Sequence, residues 1–173
     1  IESDIEKLES LNCNVLFLPD NTEVYPYDFN MINIDLGGLD KTMEGAQRPG
    51  HFKGVVQVVH RLLDIVQPHN LYMGQKDYQQ FAIVKHMLKL TQSTVKLICV
   101  PIVRESDGLA MSSRNIRLSI KGRKKASLIS STLIQAKEDT KNLPLSQVKQ
   151  NALNYLNMCN IDVDYFEIVD GDT

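Results

Sequence analysis

Lys76 stands in the run Gly74-Gln75-Lys76-Asp77-Tyr78-Gln79-Gln80, which follows a short apolar stretch and opens a helical pattern. That setting suits an anion. Ligands of open α/β sheets bind beyond the carboxyl ends of strands, a glycine such as Gly74 lets them approach the backbone, and a helix N-terminus favours negative charge. The Lys76 ammonium can meet a phosphate as a point charge, and Gln80, one turn further on, can reach a second ligand. A second run, Met111-Ser112-Ser113-Arg114-Asn115, follows a turn at Gly108. Its hydroxyls, guanidinium and backbone amides can clamp a polyanion. A third run, Glu44-Gly45-Ala46-Gln47-Arg48-Pro49-Gly50-His51-Phe52-Lys53-Gly54, puts Arg48, His51 and Lys53 ahead of an apolar helix. A basic rim at a helix start suits a carboxylate, and Val55, Val58 and Val59 behind it can line an apolar pocket. Each run also has a plainer reading: a strand-to-helix corner with a surface lysine, a polar linker, a loop whose histidine caps a helix, and valines that are simply core.

The elements that must position these runs are legible in outline. Ile5, Leu8 and Leu11 recur at helical spacing over 2–11, and Asn14 to Leu18 is an apolar run stopped by Pro19, which predicts a buried strand. Residues 20–30 read as loop, Met31 to Leu36 alternates as a strand, and 39–50 is a loop or broken helix. The wide apolar face over 51–67 predicts a buried helix that Pro68 ends. Asn70 to Met73 is a short strand, Asp77 with Gln80 can form a capping box for a helix to about Leu90, and Val95 to Val100 is a strand closed by Pro101. Such alternation predicts a mostly parallel sheet covered by helices. Beyond residue 102 the character changes: a turn over 105–108, a helix from 120 to about 139 capped by Ser119, another capped by Ser146 to about Met158, and an alternating strand over 164–169. The expected organisation is a partial α/β domain over 1–102 and a smaller, incomplete α+β domain over 103–173.

Composition narrows the function classes. The 173 residues are 43% hydrophobic and 23% charged, as in an ordinary core-forming chain, and carry a net charge of −2. There is no general basic field for nucleic acid, no apolar run of roughly 18 residues to span a membrane, and no secretory signal pattern. Cys13, Cys99 and Cys159 form no Cys-x-x-Cys pair and are expected to be buried free thiols of a reducing cytoplasm. His60, His69 and His86 lack metal-ligand spacing, the run Lys121-Gly122-Arg123-Lys124-Lys125 reads as a solvated helix face, and no Walker loop or other common catalytic signature is present.

Taken in order, the Glu44–Val55 run, the Gly74–Gln80 run and the run from Val100 through Arg104, Asp107-Gly108 and Met111-Ser112-Ser113-Arg114-Asn115 closely resemble the pantothenate synthetase (pantoate–β-alanine ligase) family over essentially the whole chain. The resemblance implies a Rossmann-like nucleotidyltransferase fold and a cytoplasmic, homodimeric, Mg2+-dependent enzyme that takes ATP, pantoate and β-alanine. It implies two steps: pantoate attacks the α-phosphate of ATP to give pantoyl adenylate and pyrophosphate, then the amine of β-alanine displaces AMP. By position, Lys76 is implied to stabilise charge on the reacting phosphate. Gly74 and Asp77 are implied to meet the ribose, and Gln80 to bond pantoate. Ser112, Ser113 and Arg114 are implied to grip the triphosphate, with Val103 and Met111 near adenine. Arg48 and His51 border the pantoate and β-alanine region, and Val58 and Val59 pack on the dimethyl end of pantoate. No metal ligand is implied. The family also has a His-x-Gly-His loop and an early pantoate-binding glutamine that these residues lack, Pro49-Gly50-His51 being a different element. Both ends read as cut, so the chain is expected to be a fragment nearly inactive by itself. A non-catalytic nucleotide-binding module and a related nucleotidyltransferase remain open alternatives.

Overall fold

The computed structural model describes residues 1–171, and the chain divides into two compact units, Ile1–Ile32 and Asn33–Thr173. In the first unit, helix α1 (Glu2–Ser10) turns Ile5 and Leu8 to its less exposed side. Helix α2 (Asn21–Val24) is one turn long, and its entry is fixed by the Asp20 amide donating to the Glu23 carboxylate at 2.7 Å. The strand expected at Asn14–Leu18 does not form. A strand needs a neighbour's amides and carbonyls, and none of the described residues pairs with this run, so Val15 and Leu18 stay 81% and 60% exposed.

The second unit is organised by a strand–helix–strand element with a helix against it. Helix α3 spans Met43–Gln47 and α4 spans His51–Val66. Gly50 precedes α4 at φ +82°, a conformation costly to any residue with a Cβ. Gln67, in the left-handed region, ends α4 with its amide on the Leu63 carbonyl, and Pro68 prevents its continuation. Strand β1 (Asn70–Gly74) is followed by a 3-10 turn, Gln75–Asp77, and by α5 (Tyr78–Leu90). Strand β2 (Lys96–Val100) then pairs with β1 in parallel, from Asn70 opposite Lys96 to Gly74 opposite Val100. Phe52 and Val56 of α4 are buried, as are Val84 and Leu88 of α5, and Ile83 and Met87 have no exposed surface. Excluding each such side chain from water contributes roughly 1.5–3 kcal/mol.

Beyond β2 the chain makes a tight hairpin over 103–111. Arg104 bridges Ala110 in antiparallel fashion, and Glu105 accepts from Gly108 at 2.9 Å to close the turn. A 3-10 helix follows at Ser113–Arg117, then α6 (Ile120–Asp139) and α7 (Leu145–Met158). The expected Ser119 cap is present, its Oγ accepting from the Gly122 amide at 3.0 Å. Ala136 of α6 packs with Val148, Ala152 and Leu156 of α7, and Phe166 from the following segment joins this cluster.

The α/β expectation holds, with parallel pairing between β1 and β2, but several details differ. The strands expected over 31–36 and 164–169 have no ladder. At residue 35 the backbone carbonyl is taken by the His86 ring at 3.0 Å. The later segment is held by side chains: Phe166 in the helical cluster, Glu167 bonded by Lys149 at 2.7 Å, and the Gly171 carbonyl bonded by the Tyr78 hydroxyl at 2.8 Å. Helix α7 begins at Leu145 rather than after a Ser146 cap, because the Pro144 carbonyl already accepts from the Gln147 and Val148 amides. Asp77 precedes α5 but makes no capping bond, since the 3-10 turn presents it beside Lys76 instead. The cysteines are free but not buried: Cys13 and Cys99 are exposed and Cys159 is intermediate. For Cys99 the reason is that the sheet has only two strands, with no further layer over that residue among those described.

Candidate functional site

The three runs singled out by their chemistry meet in the second unit. A cavity of about 620 Å³ is lined by Arg48, His51, Lys76, Asp77, Gln80, Ser112 and Arg114 together with Glu44, Phe52, Tyr78, Gln79 and Tyr165. Each wall has its own support. Lys76 and Asp77 lie on the 3-10 turn after β1, with their charged groups 3.6 Å apart and both side chains more than two-fifths exposed. Such an exposed neighbouring pair holds Lys76 only weakly, leaving the ammonium available to a more highly charged partner. Arg48 ends the short helix α3 and is paired with Glu44 at 3.2 Å. His51 opens α4, with its ring 4.9 Å from that of the buried Phe52.

Ser112 and Arg114 come from the segment after the hairpin, and polar bonds hold that segment in place. The Ser112 hydroxyl accepts from the Arg114 amide at 3.2 Å and caps the 3-10 helix. Asn115 donates to the Ala110 carbonyl at 3.1 Å and to Glu105 at 3.3 Å. Behind them, Arg123 of α6 holds Asp107 through two bonds of 2.8 and 3.1 Å. Arg104 reaches the Gly108 carbonyl at 3.0 Å and the buried Ser130 hydroxyl at 3.2 Å. The Leu109 amide, and then Arg123, hold the Asp107 carboxyl below its ordinary pKa, with partial desolvation opposing them. The cavity wall thus carries three permanent cations, Arg48, Lys76 and Arg114, against two carboxylates, Glu44 and Asp77. Arg114 makes no ion pair among the described residues. This balance suits a multiply charged anion.

Eight of the residues proposed from sequence do not line the cavity: Lys53, Val55, Val58, Val59, Gly74, Val103, Met111 and Ser113. Val103 and Met111 are nonetheless joined through backbone, the Met111 amide donating to the Val103 carbonyl at 2.9 Å, and both side chains are exposed. Val58 is 43% exposed on α4. Gly74 needs neither its backbone angles, φ −69° and ψ 133°, nor any packing constraint to be glycine, for a Cβ there would meet nothing within 4 Å. Its missing side chain leaves open surface at the end of β1.

Sequence reasoning missed Tyr165 and gave no role to Glu44 or Gln79. Burial raises the Tyr165 hydroxyl above its ordinary pKa, and the charges of Glu44 and Asp164 add to the effect. Nothing local marked Tyr165, because its position on this wall depends on a segment far along the chain. Gln79 and Glu44 stood inside the quoted runs, and a glutamine at the second turn position of a helix is not by itself a signal. Among the described residues, no group of three or more His, Cys, Asp and Glu side chains could hold a metal ion, and no helix is long and apolar enough to cross a membrane.

Comparison with known proteins bears on this site. The chain is 43% identical to pantothenate synthetase of Fervidobacterium nodosum over 175 residues, covering 100% of the chain and 62% of that protein. It is 44% identical to pantothenate synthetase of Cytophaga hutchinsonii over 177 residues, again covering 62% of the relative. A crystal structure of pantothenate synthetase from Thermus thermophilus superposes with a TM-score of 0.84 at 38% identity, covering 91% of this chain and 57% of that one. Pantoate-beta-alanine ligase from Francisella tularensis, solved in complex with beta-gamma ATP and beta-alanine, superposes with a TM-score of 0.79 at 35% identity, covering 98% of this chain and 62% of that one. The chain therefore spans about three-fifths of the length of these relatives. The family model for pantoate-beta-alanine ligase matches residues 1–173, and the chain belongs to that family.

Proposed function

We propose that these residues form the nucleotide and acid site of an ATP-dependent ligase that joins pantoate to β-alanine through a pantoyl-adenylate intermediate. One observation carries this reading: Arg48, His51, Lys76, Gln80, Ser112 and Arg114, from three separate runs, share the wall of a single cavity. The Francisella tularensis relative, solved with beta-gamma ATP and beta-alanine, supports the choice of ligands.

A carboxylate is a poor acyl donor because oxide would have to leave. In the proposed first step a pantoate carboxylate oxygen bonds to the α-phosphorus of ATP and the bond to the bridging β-phosphate oxygen breaks, releasing pyrophosphate. Lys76 offsets the charge that builds on the phosphate oxygens, while Ser112, Ser113 and Arg114 grip the β- and γ-phosphates. Gly74 and Asp77 take the ribose, the backbone approach being open at Gly74, and adenine rests near Val103 and Met111. Gln80, Arg48 and His51 orient the acid, with Val58 and Val59 towards its dimethyl end. In the second step the neutral amine of β-alanine attacks the acyl carbon, its C–O bond to AMP breaks, and the amide nitrogen gives up a proton. Holding both partners in line supplies the alignment that this chemistry requires.

Mg2+ fits as an ion carried in on the triphosphate. It keeps phosphate and water ligands and needs few protein carboxylates, and Asp77 is the carboxylate on the Lys76 wall. In this reading a domain boundary near Val103 lets the segment carrying Ser112 and Arg114 close on the nucleotide. The full-length protein acts as a cytoplasmic homodimer. The 173 residues alone turn over poorly, since they carry no His-x-Gly-His loop and a phosphate clamp with fewer donors loses several kcal/mol of stabilisation.

The deciding measurement is pyrophosphate exchange into ATP by the full-length protein. Exchange that requires pantoate supports the ligase, and equal exchange with unrelated acids makes the substrate wrong. Binding of ATP and pantoate without any exchange favours a nucleotide-binding module that performs no turnover.

A further inference from the structure

On the cavity wall, Gln79 spends both polar atoms of its side chain on the backbone of a distant segment. Its Nε2 donates to the carbonyls of Leu39 and Thr42, each at 2.8 Å, and its Oε1 accepts from the amide of Glu44 at 3.1 Å. These bonds cross 35 to 40 residues of sequence. The Thr42 carbonyl and the Glu44 amide belong to the two peptide groups that flank the α-carbon of Met43. Met43 lies at φ +46°, in the left-handed region that a residue with an unbranched apolar side chain avoids unless its surroundings impose it. The bonds that could impose it come from Gln79. They also satisfy a first-turn amide of α3, which has no capping side chain of its own.

The strained turn leads directly to functional groups. Glu44, the residue after Met43, holds Arg48 at 3.2 Å. Gly45 lies so close to the Asp40 carbonyl oxygen that any Cβ would collide with it, so α3 has no slack in which to adjust. Gln79 itself sits between Lys76 and Gln80 at the start of α5. One amide therefore ties the wall carrying Arg48 and His51 to the corner carrying Lys76.

We propose that Gln79 is a positioning residue that sets the distance between the acid-binding and phosphate-binding walls by holding Met43 in its left-handed conformation. This rests on the functional reading above for the names of the two walls. It assigns Gln79 no contact with a reacting atom. The acid subsite then owes its geometry to α5 rather than to its own loop.

The experiment uses the full-length protein with Gln79→Met, which keeps the bulk and removes all three bonds, alone and combined with Met43→Gly. Glycine adopts positive φ freely, so it should restore the turn without the amide. Gln79→Met should raise the KM for pantoate about tenfold or more, as small misplacements do, with kcat within about threefold of wild type. Met43→Gly should bring most of that KM back. Hydrogen exchange at the Glu44 amide should speed up in Gln79→Met and return towards wild type in the double variant. An unchanged KM, or a raised KM that Met43→Gly fails to rescue, overturns the proposal. Should Gln79→Met not fold, Gln79→Glu takes its place: it keeps the acceptor for the Glu44 amide and loses both donors. A raised KM rescued by Met43→Gly again supports the proposal, and a wild-type KM in that variant overturns it. Absence of pantoate-dependent exchange in the wild type would defeat the functional reading instead, while Glu44 amide exchange still reads the turn.

Discussion

Two of the segments that line the cavity are built on different physics. The corner over 74–80 stands on apolar burial: α5 behind it contributes Ile83, Val84 and Met87, none with any exposed surface. The segment over 103–117 stands on polar bonds, exposed for Arg123 to Asp107 and partly buried for Asn115 to Glu105 and Ala110, and Met111 within it is 52% exposed. Apolar burial is indifferent to charge screening and protonation, whereas surface ion pairs respond to both. One side of the candidate site, its floor, therefore rests on buried apolar packing, and the other on polar bonds that solution conditions can weaken.

The largest effect should come from breaking the floor. Ile83→Ala removes a fully buried side chain and should cost about 2–5 kcal/mol in denaturant unfolding. A loss below roughly 1 kcal/mol would mean that α5 is not what holds the corner. Next, Lys76→Ala in the full-length protein should slow pantoate-dependent exchange by about 10²-fold, equivalent to about 2.7 kcal/mol of barrier, while the unfolding midpoint stays near wild type. An unchanged rate would remove Lys76 from the chemistry. The smallest effect concerns the loop. The Leu109 amide and Arg123 lower the Asp107 pKa on folding, so its contribution is complete above the ordinary carboxylate range and is lost as pH falls through the lowered value. Proteolysis or hydrogen exchange over 103–115 should therefore rise at acid pH while α5 stays protected, and Asp107→Asn should flatten that dependence. Protection of the loop that does not vary with pH in the wild type would erase the contrast between the two walls.

Much of the floor was legible in the sequence. The apolar face over 51–67 ended by Pro68, the short strands over 70–73 and 95–100, the latter closed by Pro101, and the helix after Asp77 are local patterns whose partners lie close by. The candidate site residues were legible for the same reason, since Lys76 and Arg114 sit in runs whose chemistry does not depend on neighbours far away. What depended on distant partners was not. Alternation over 31–36 and 164–169 says that a segment suits a ladder, but not whether a neighbour supplies one; here the His86 ring meets the Asp35 carbonyl, and the later run is held by Phe166 in the helical cluster and by Lys149 on Glu167. Cys99 looked buried because β2 is apolar, yet burial needs a layer on top. Tyr165 and the bonds of Gln79 were invisible, because each joins positions that only the folded chain brings together.

The register of the sheet has a further consequence. Gly74 and Val100 are partners at the same end of two parallel strands, so both candidate segments leave from one edge. The connection at Thr91–Val95 lies at the other edge, where β2 begins beside Asn70. Length and composition can therefore drift there across related sequences, or a reporter be spliced in, without the candidate site registering the change.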